Sequence, residues 1–144
     1  MDIMKGLYAA VLTSMLVLSG CLHEQTEAGM INRYDADDAA DTATSGTSDT
    51  LIRLQMSGED SLSWTSTNIR LSVDDAIYGC SLGGADECQI SQQGGDDGNV
   101  WEPGEYIFLS ESGTDICNDI GCRVDISVTY KDNTVSGDSS IIVN

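Results

Sequence analysis

The chain divides into three stretches by the way apolar and polar positions follow one another. From Leu7 to Leu18 the residues are apolar except for Thr13 and Ser14. Residues 23–50 show no period, with acids scattered among Ala, Thr, Ser and Gly. From Leu51 to the C-terminus the period becomes two. Ile52, Leu54 and Met56 alternate with Arg53 and Gln55; Ile69, Leu71 and Val73 alternate with Arg70 and Ser72. Later, Val124, Ile126, Val128 and Tyr130 alternate with Asp125, Ser127 and Thr129. Such alternation puts one face of a strand on a core and the other in water. Shorter segments at 76–80, 87–91, 105–110 and 139–143 read as further strands. Turn-forming residues separate them at 57–60, 83–84, 94–98, 112–113 and 131–133. After residue 50 there is no helical periodicity. The pattern predicts an all-β fold, a small antiparallel β-sandwich of about seven strands, preceded by an N-terminal signal segment and a disordered linker.

The apolar tract follows Lys5 and ends in Leu18-Ser19-Gly20-Cys21. A charged start, a short apolar run and small residues before a cysteine make a lipobox, so residues 1–20 read as a lipoprotein signal peptide and Cys21 as the lipid-carrying first residue of the mature chain. The tract is too short to span a bilayer, which takes about 20 apolar residues. Residues 21–50 include Glu24, Glu27, Asp35, Asp37, Asp38, Asp41 and Asp49. They bury too little apolar surface to offset their ordering entropy and read as an acidic disordered tether, with docking expected only around 30–34. A rival processing site stands at Lys5-Gly6, where cleavage after the glycine would expose the apolar tract as a helix.

Five cysteines are an odd number for a secreted domain, and assigning Cys21 to lipid leaves Cys80, Cys88, Cys117 and Cys122. Three connectivities are open. Cys80 with Cys88 and Cys117 with Cys122 is the favoured pair of bridges, because each encloses its own glycine-containing turn. Four thiolates could also hold zinc, but neither spacing is that of a zinc knuckle and an extracellular setting favours oxidation. No metal site is assigned to them.

Lys and Arg number 6 against 24 Asp and Glu, a formal charge of -18, and removal of residues 1–20 takes away one charge of each sign (Asp2 and Lys5). That surface repels nucleic acid and anionic lipid headgroups and suits solubility at high ionic strength. The sole histidine, His23, lies in the tether, so no His-dependent triad can be built inside the domain, and no phosphate loop with a following Lys occurs. Carboxylate pairs at any spacing arise by chance in so acidic a chain. The protein is therefore expected not to be an enzyme and to need no cofactor besides the lipid. Asp96, Asp97 and Asn99, in a glycine-rich loop, are candidate calcium ligands at a loop tip. In Trp101-Glu102-Pro103-Gly104-Glu105, the Pro-Gly pair predicts a type II turn, with Trp101, like Trp64, serving as a cap on the core.

Several of these pieces together resemble archaeal type IV pilin-like and archaellin-like β-sandwiches. They are Ser57-Gly58-Glu59-Asp60-Ser61-Leu62-Ser63-Trp64 leading into Ile69-Arg70-Leu71-Ser72-Val73-Asp74-Asp75, the Pro103-Gly104-Glu105 corner, and the closing segment from Val124 to Val143. Glu59 replaces the glycine of the family's usual Gly-Gly-Asp run. The resemblance covers about residues 51–144 and implies a surface-exposed sandwich; the front of the chain departs from the long filament helix of that family.

Two functional expectations follow. The first is a non-enzymatic lipoprotein on the outer face of the cytoplasmic membrane, held by the lipid on Cys21 and offering its sandwich to an unknown surface protein or glycan. The second is a minor pilin-like subunit polymerising through residues 7–22. Loops on a rigid sandwich are the expected place for recognition.

Overall fold

Strands here follow from side-chain alternation reinforced by pairing on both sides. The computed structural model describes residues 31–83, 86–95 and 97–144. Within them lie β1 (Arg33–Asp38), β2 (Thr50–Ser57), β3 (Leu62–Ser63), β4 (Thr67–Val73), β5 (Ala76–Leu82), β6 (Cys88–Gln93), β7 (Val100–Trp101), β8 (Tyr106–Glu111), β9 (Cys122–Tyr130), β10 (Asn133–Thr134), β11 (Ser136–Gly137) and β12 (Ser140–Val143). The fold is all-β, as the periodicity predicts. The seven expected strands are β2, β4, β5, β6, β8, β9 and β12. The additions are β1 and four two-residue strands, three of which follow from pairings distant in sequence. The signal segment 1–20, the rival site at Gly6, Cys21 and His23 lie outside the described residues.

Two antiparallel groups face one another. In one, β9 runs beside β4 and β4 beside β5, with β10 and β12 both on the far edge of β9. In the other the order is β6, β8, β2, β1. The groups are not wholly antiparallel to one another, as the sandwich expectation had it: they join through two parallel seams. At one seam β5 pairs with β6, and at the other β1 pairs with β11. Because β10, β11 and β12 are successive pieces of the last twelve residues, that segment leaves β9, touches β1 and returns to β9, closing the sheet on itself. Edges that would otherwise offer unpaired N–H and C=O groups are thereby reduced.

The core is made by the inward residues of both groups. Leu54, Met56, Ile107 and Leu109 come from one, and Ile69, Leu71, Val124 and Val128 from the other. The register of β2 against β8 shifts between Thr50 and Ile52, so the adjacent Leu51 and Ile52 are both buried, a bulge that returns Arg53 to the outer face. Both tight hairpins use non-glycine residues at positive φ: Asp74 and Asp75 join β4 to β5, and Lys131 and Asp132 join β9 to β10. Two consecutive left-handed residues match the right-handed twist of the strands, and Asp is among the residues that tolerate them.

One expectation requires correction. The scattered acids predict a disordered tether over residues 21–50, yet from residue 31 onward this stretch belongs to the folded domain. In β1, Tyr34 is 3% exposed while Arg33, Asp35 and Asp37 point to water, so its acids occupy the solvent face of a strand that β2 pairs along its whole length. Asn32 is fully buried, and its side-chain amide donates to the Asp60 carbonyl at 2.6 Å. Further on, the Ala39 N–H donates to the Leu51 carbonyl and the Ala43 N–H to the Asn144 carbonyl, both at 3.1 Å. Acid content had concealed a period-two pattern with only one large apolar residue.

Candidate functional site

The two bridges of the domain join Cys80 to Cys88 and Cys117 to Cys122. Cys80 and Cys88 are register partners across the parallel seam of β5 and β6. Beside them lies an inward-facing acid that sequence reasoning missed. Glu111 ends β8 opposite Cys88 and is 3% exposed. One carboxylate oxygen accepts the Asp49 N–H at 3.1 Å, and the other accepts the N–H groups of Ile116 and of Cys117, the latter at 3.1 Å. Burial pushes this carboxyl up to about 7 against the pull of those donors, and the neighbouring Asp115 carboxyl adds to the rise. Glu111 thus ties the second disulfide loop to the residue before β2. Its signal in the sequence was its parity: in Tyr106 to Glu111 it falls in step with Ile107 and Leu109.

At the opposite end of β8 the Pro103-Gly104 corner forms as expected. Gly104 has φ 85°, and the Glu105 N–H donates to the Glu102 carbonyl at 3.0 Å. Trp101 is fully buried, donates its indole N–H to the Glu105 carbonyl at 3.0 Å, and stacks on Trp64 with centroids 5.8 Å apart. Both indoles are thus committed to packing. Glu105 is itself buried, receiving the Glu102 N–H at 2.9 Å and the side-chain amide of Gln92. A Cβ on Gly95 would stand 2.1 Å from a Glu105 carboxylate oxygen, which is why the glycine run continues to this position.

Of the candidate calcium ligands, Asp96 lies outside the described residues. Asp97 accepts the Asn99 N–H at 2.9 Å and the Asn99 side-chain amide at 3.1 Å through one oxygen, an Asx-type turn. Among the described residues no group of three or more His, Cys, Asp or Glu is placed to hold a metal ion.

One surface groove lies on the outer face of β6, β8 and β2. Strand alternation turns Tyr106, Phe108 and Ser110 outward from β8. Phe108 stands between Arg53 of β2 and Ser91 of β6, and Tyr106 between Gln55 and Gln93. The Arg53 guanidinium lies 5.0 Å from the Tyr106 ring centroid while bonding Asp37 at 2.9 Å. Where residues 39–41 rise beside Phe108, a groove of about 310 Å³ opens, lined also by Thr50, Ser91, Gln93 and Ser110. A second recess, of about 400 Å³, lies beside the Cys117–Cys122 loop and is lined by Asp74, Asp115, Asp119 and Arg123 among others.

No protein-family model matches the chain, and no curated protein matches it. Among solved structures, the archaellum periplasmic stator protein FlaG from Sulfolobus acidocaldarius is similar at a TM-score of 0.44 and 11% identity, over 71% of this chain and 92% of that one.

Proposed function

We propose that the protein is a non-enzymatic cell-surface lipoprotein: a lipid on Cys21 anchors it to the outer face of the membrane, and the disulfide-stapled sandwich is the part it presents to partners. The observation that carries this reading is the fate of the cysteines. All four in the domain are consumed in two bridges, chemistry that belongs to an oxidising compartment, and this leaves Cys21 alone at the end of the apolar tract. The buried acids support a non-catalytic role, since Glu105 and Glu111 spend their oxygens on backbone and amide donors that hold turns in place. The folded domain reaches back at least to residue 31, ten positions after Cys21.

Mass spectrometry of the mature N-terminus tests the anchor. A chain beginning at Cys21 and carrying the mass of lipid is expected, together with release of a Cys21→Ser variant from membranes. A chain beginning at Leu7 without lipid would overturn the reading in favour of a filament subunit polymerising through residues 7–22.

A further inference from the structure

We propose that the groove over Phe108, on the outer face of β6, β8 and β2, is a binding site for a neutral hexose unit of a glycan. The proposal deepens the reading of the sandwich as a presented recognition module and rests on it for its setting.

Three observations select this ligand chemistry. First, Phe108 lines the groove, and Tyr106, the next outward residue of the same strand, stands beside it with the Arg53 guanidinium 5.0 Å from its ring centroid. The negative face of an aromatic ring attracts the positive C–H edge that a pyranose turns toward it. Phe108 is the only phenylalanine in the chain, and it is placed on the solvent side of a strand whose inward residues are Ile107 and Leu109. Second, the groups around the ring are those that bond hydroxyls. The Gln93 amide both donates and accepts, the hydroxyls of Thr50, Ser91 and Ser110 do likewise, with Ser110 donating to Thr50 at 3.2 Å, and the Asp41 carboxylate accepts only. A groove that sets one aromatic ring and two alanines among several polar groups, at the lower end of the roughly 300 to 1,000 Å³ of ligand sites, suits one or two sugar rings.

Third, charge and backbone exclude the competitors. In a chain with 24 acids, the outward positions of β6, β8 and β2 hold no carboxylate. The single cation there, Arg53, is already paired with Asp37. With Arg53 paired and Asp41 the one carboxylate in the groove lining, this surface carries little net charge for so acidic a molecule and complements an uncharged ligand, and the surrounding charge repels polyanions. A peptide added as a further strand would need free backbone N–H and C=O groups at a sheet edge. The groove instead lies at mid-sheet, where the ladders of β8 with β2 and with β6 already use them. What remains is a surface of side chains, and its amide and hydroxyl groups suit the hydroxyls of a sugar.

The test uses the full chain in lauryldimethylamine oxide, a detergent without a sugar headgroup, titrated with maltohexaose, cellohexaose and mannohexaose. Binding is followed by saturation-transfer NMR and calorimetry, with decaproline as the peptide control. Saturable binding of at least one hexaose is expected, with Phe108→Ala weakening it about tenfold or more and Gln93→Ala, at an exposed position, about threefold or more. If Phe108→Ala fails to fold, Tyr106→Ala with Gln93→Ala replaces it. Absence of binding by all three hexaoses, with or without decaproline binding, overturns the proposal, as does wild-type affinity in the variants. Lipid at Cys21 is read from the same preparation by mass, so loss of the anchor reading and loss of the groove reading are separate results.

Discussion

The two parallel seams that close the sheet do the same geometric work by different physics. At the β5–β6 seam three residue pairs meet, and the first of them is the Cys80–Cys88 bridge. The partners are 8 apart in sequence, so a covalent bond across a short loop suffices, and only a local pairing has to be found. At the β1–β11 seam only Arg33 with Ser136 and Tyr34 with Gly137 are paired, and the strands are about a hundred residues apart. This seam is held by packing. A Cβ on Gly137 would stand 2.4 Å from the Tyr34 ring and 2.5 Å from the Tyr34 carbonyl oxygen, so the strands close only because that side chain is missing. The Asp138 carboxylate adds a bond, accepting the Ala36 N–H at 2.9 Å, and burial, with the nearby Asp138 charge, raises the Tyr34 hydroxyl above its usual pKa. Local closure can thus be made by one covalent bond, whereas remote closure draws on buried surface and loses more when that surface goes.

This contrast can be broken from the side of packing first. Tyr34→Ala should cost about 3 to 4 kcal/mol in urea unfolding, because an almost fully buried ring is removed and the seam has no covalent reserve. Replacing Cys80 and Cys88 together by alanine should cost less, about 2 to 3 kcal/mol, the loop entropy returned to the unfolded chain by so short a ring. Equal or reversed losses would mean that the stapled seam, and not the packed one, limits stability. In the same preparations, thiol labelling of unfolded, unreduced wild-type protein should find no reactive thiol among Cys80, Cys88, Cys117 and Cys122; four would refute the staples.

The smallest effect sharpens the stapled side. Because Glu111 is pushed up to about 7 by burial, the folded chain keeps a proton that the unfolded chain releases above about 4.5. Its contribution is therefore full below about 4.5 and is lost as pH rises to about 7. Relative to Glu111→Gln, which does not titrate, the wild-type melting temperature should fall by a few degrees across that window. A constant difference between the two proteins from about pH 4.5 to pH 7.5 would show that the carboxyl next to the bridge is ionised throughout. The comparison with the variant removes the general self-repulsion of the acidic surface.

Legibility varied with the range over which a feature is written. Three of the seven expected strands were readable by their own alternation and the four shorter ones with the help of the turn residues that bound them, and the Pro103-Gly104 corner because its turn chemistry lies in adjacent residues. β1 was not, since Tyr34 is its sole large apolar residue and its acids resemble those of a solvated spacer until β2 supplies the partner. The groove escaped for a related reason. Phe108 on the polar parity of β8 was visible, but Gln93, Thr50 and Asp41 come together only through the register of three strands. Glu111 read as one more acid among 24 until its position opposite Cys88 made it an interior one.

By itself, then, the sequence determined the all-β class, the strand positions and the turns, because period two and turn residues act over a few neighbours. It also placed the apolar tract and the lone Cys21 ahead of the domain. Tertiary structure alone decided that residues 31–50 belong to the folded domain, which strands meet in parallel, and which polar side chains share a groove or a buried network. Apart from the local β5–β6 seam, those outcomes depend on pairings between residues about 30 to 100 positions apart, as in Asn32 with Asp60 and Tyr34 with Gly137, where neither partner carries a local mark of the other.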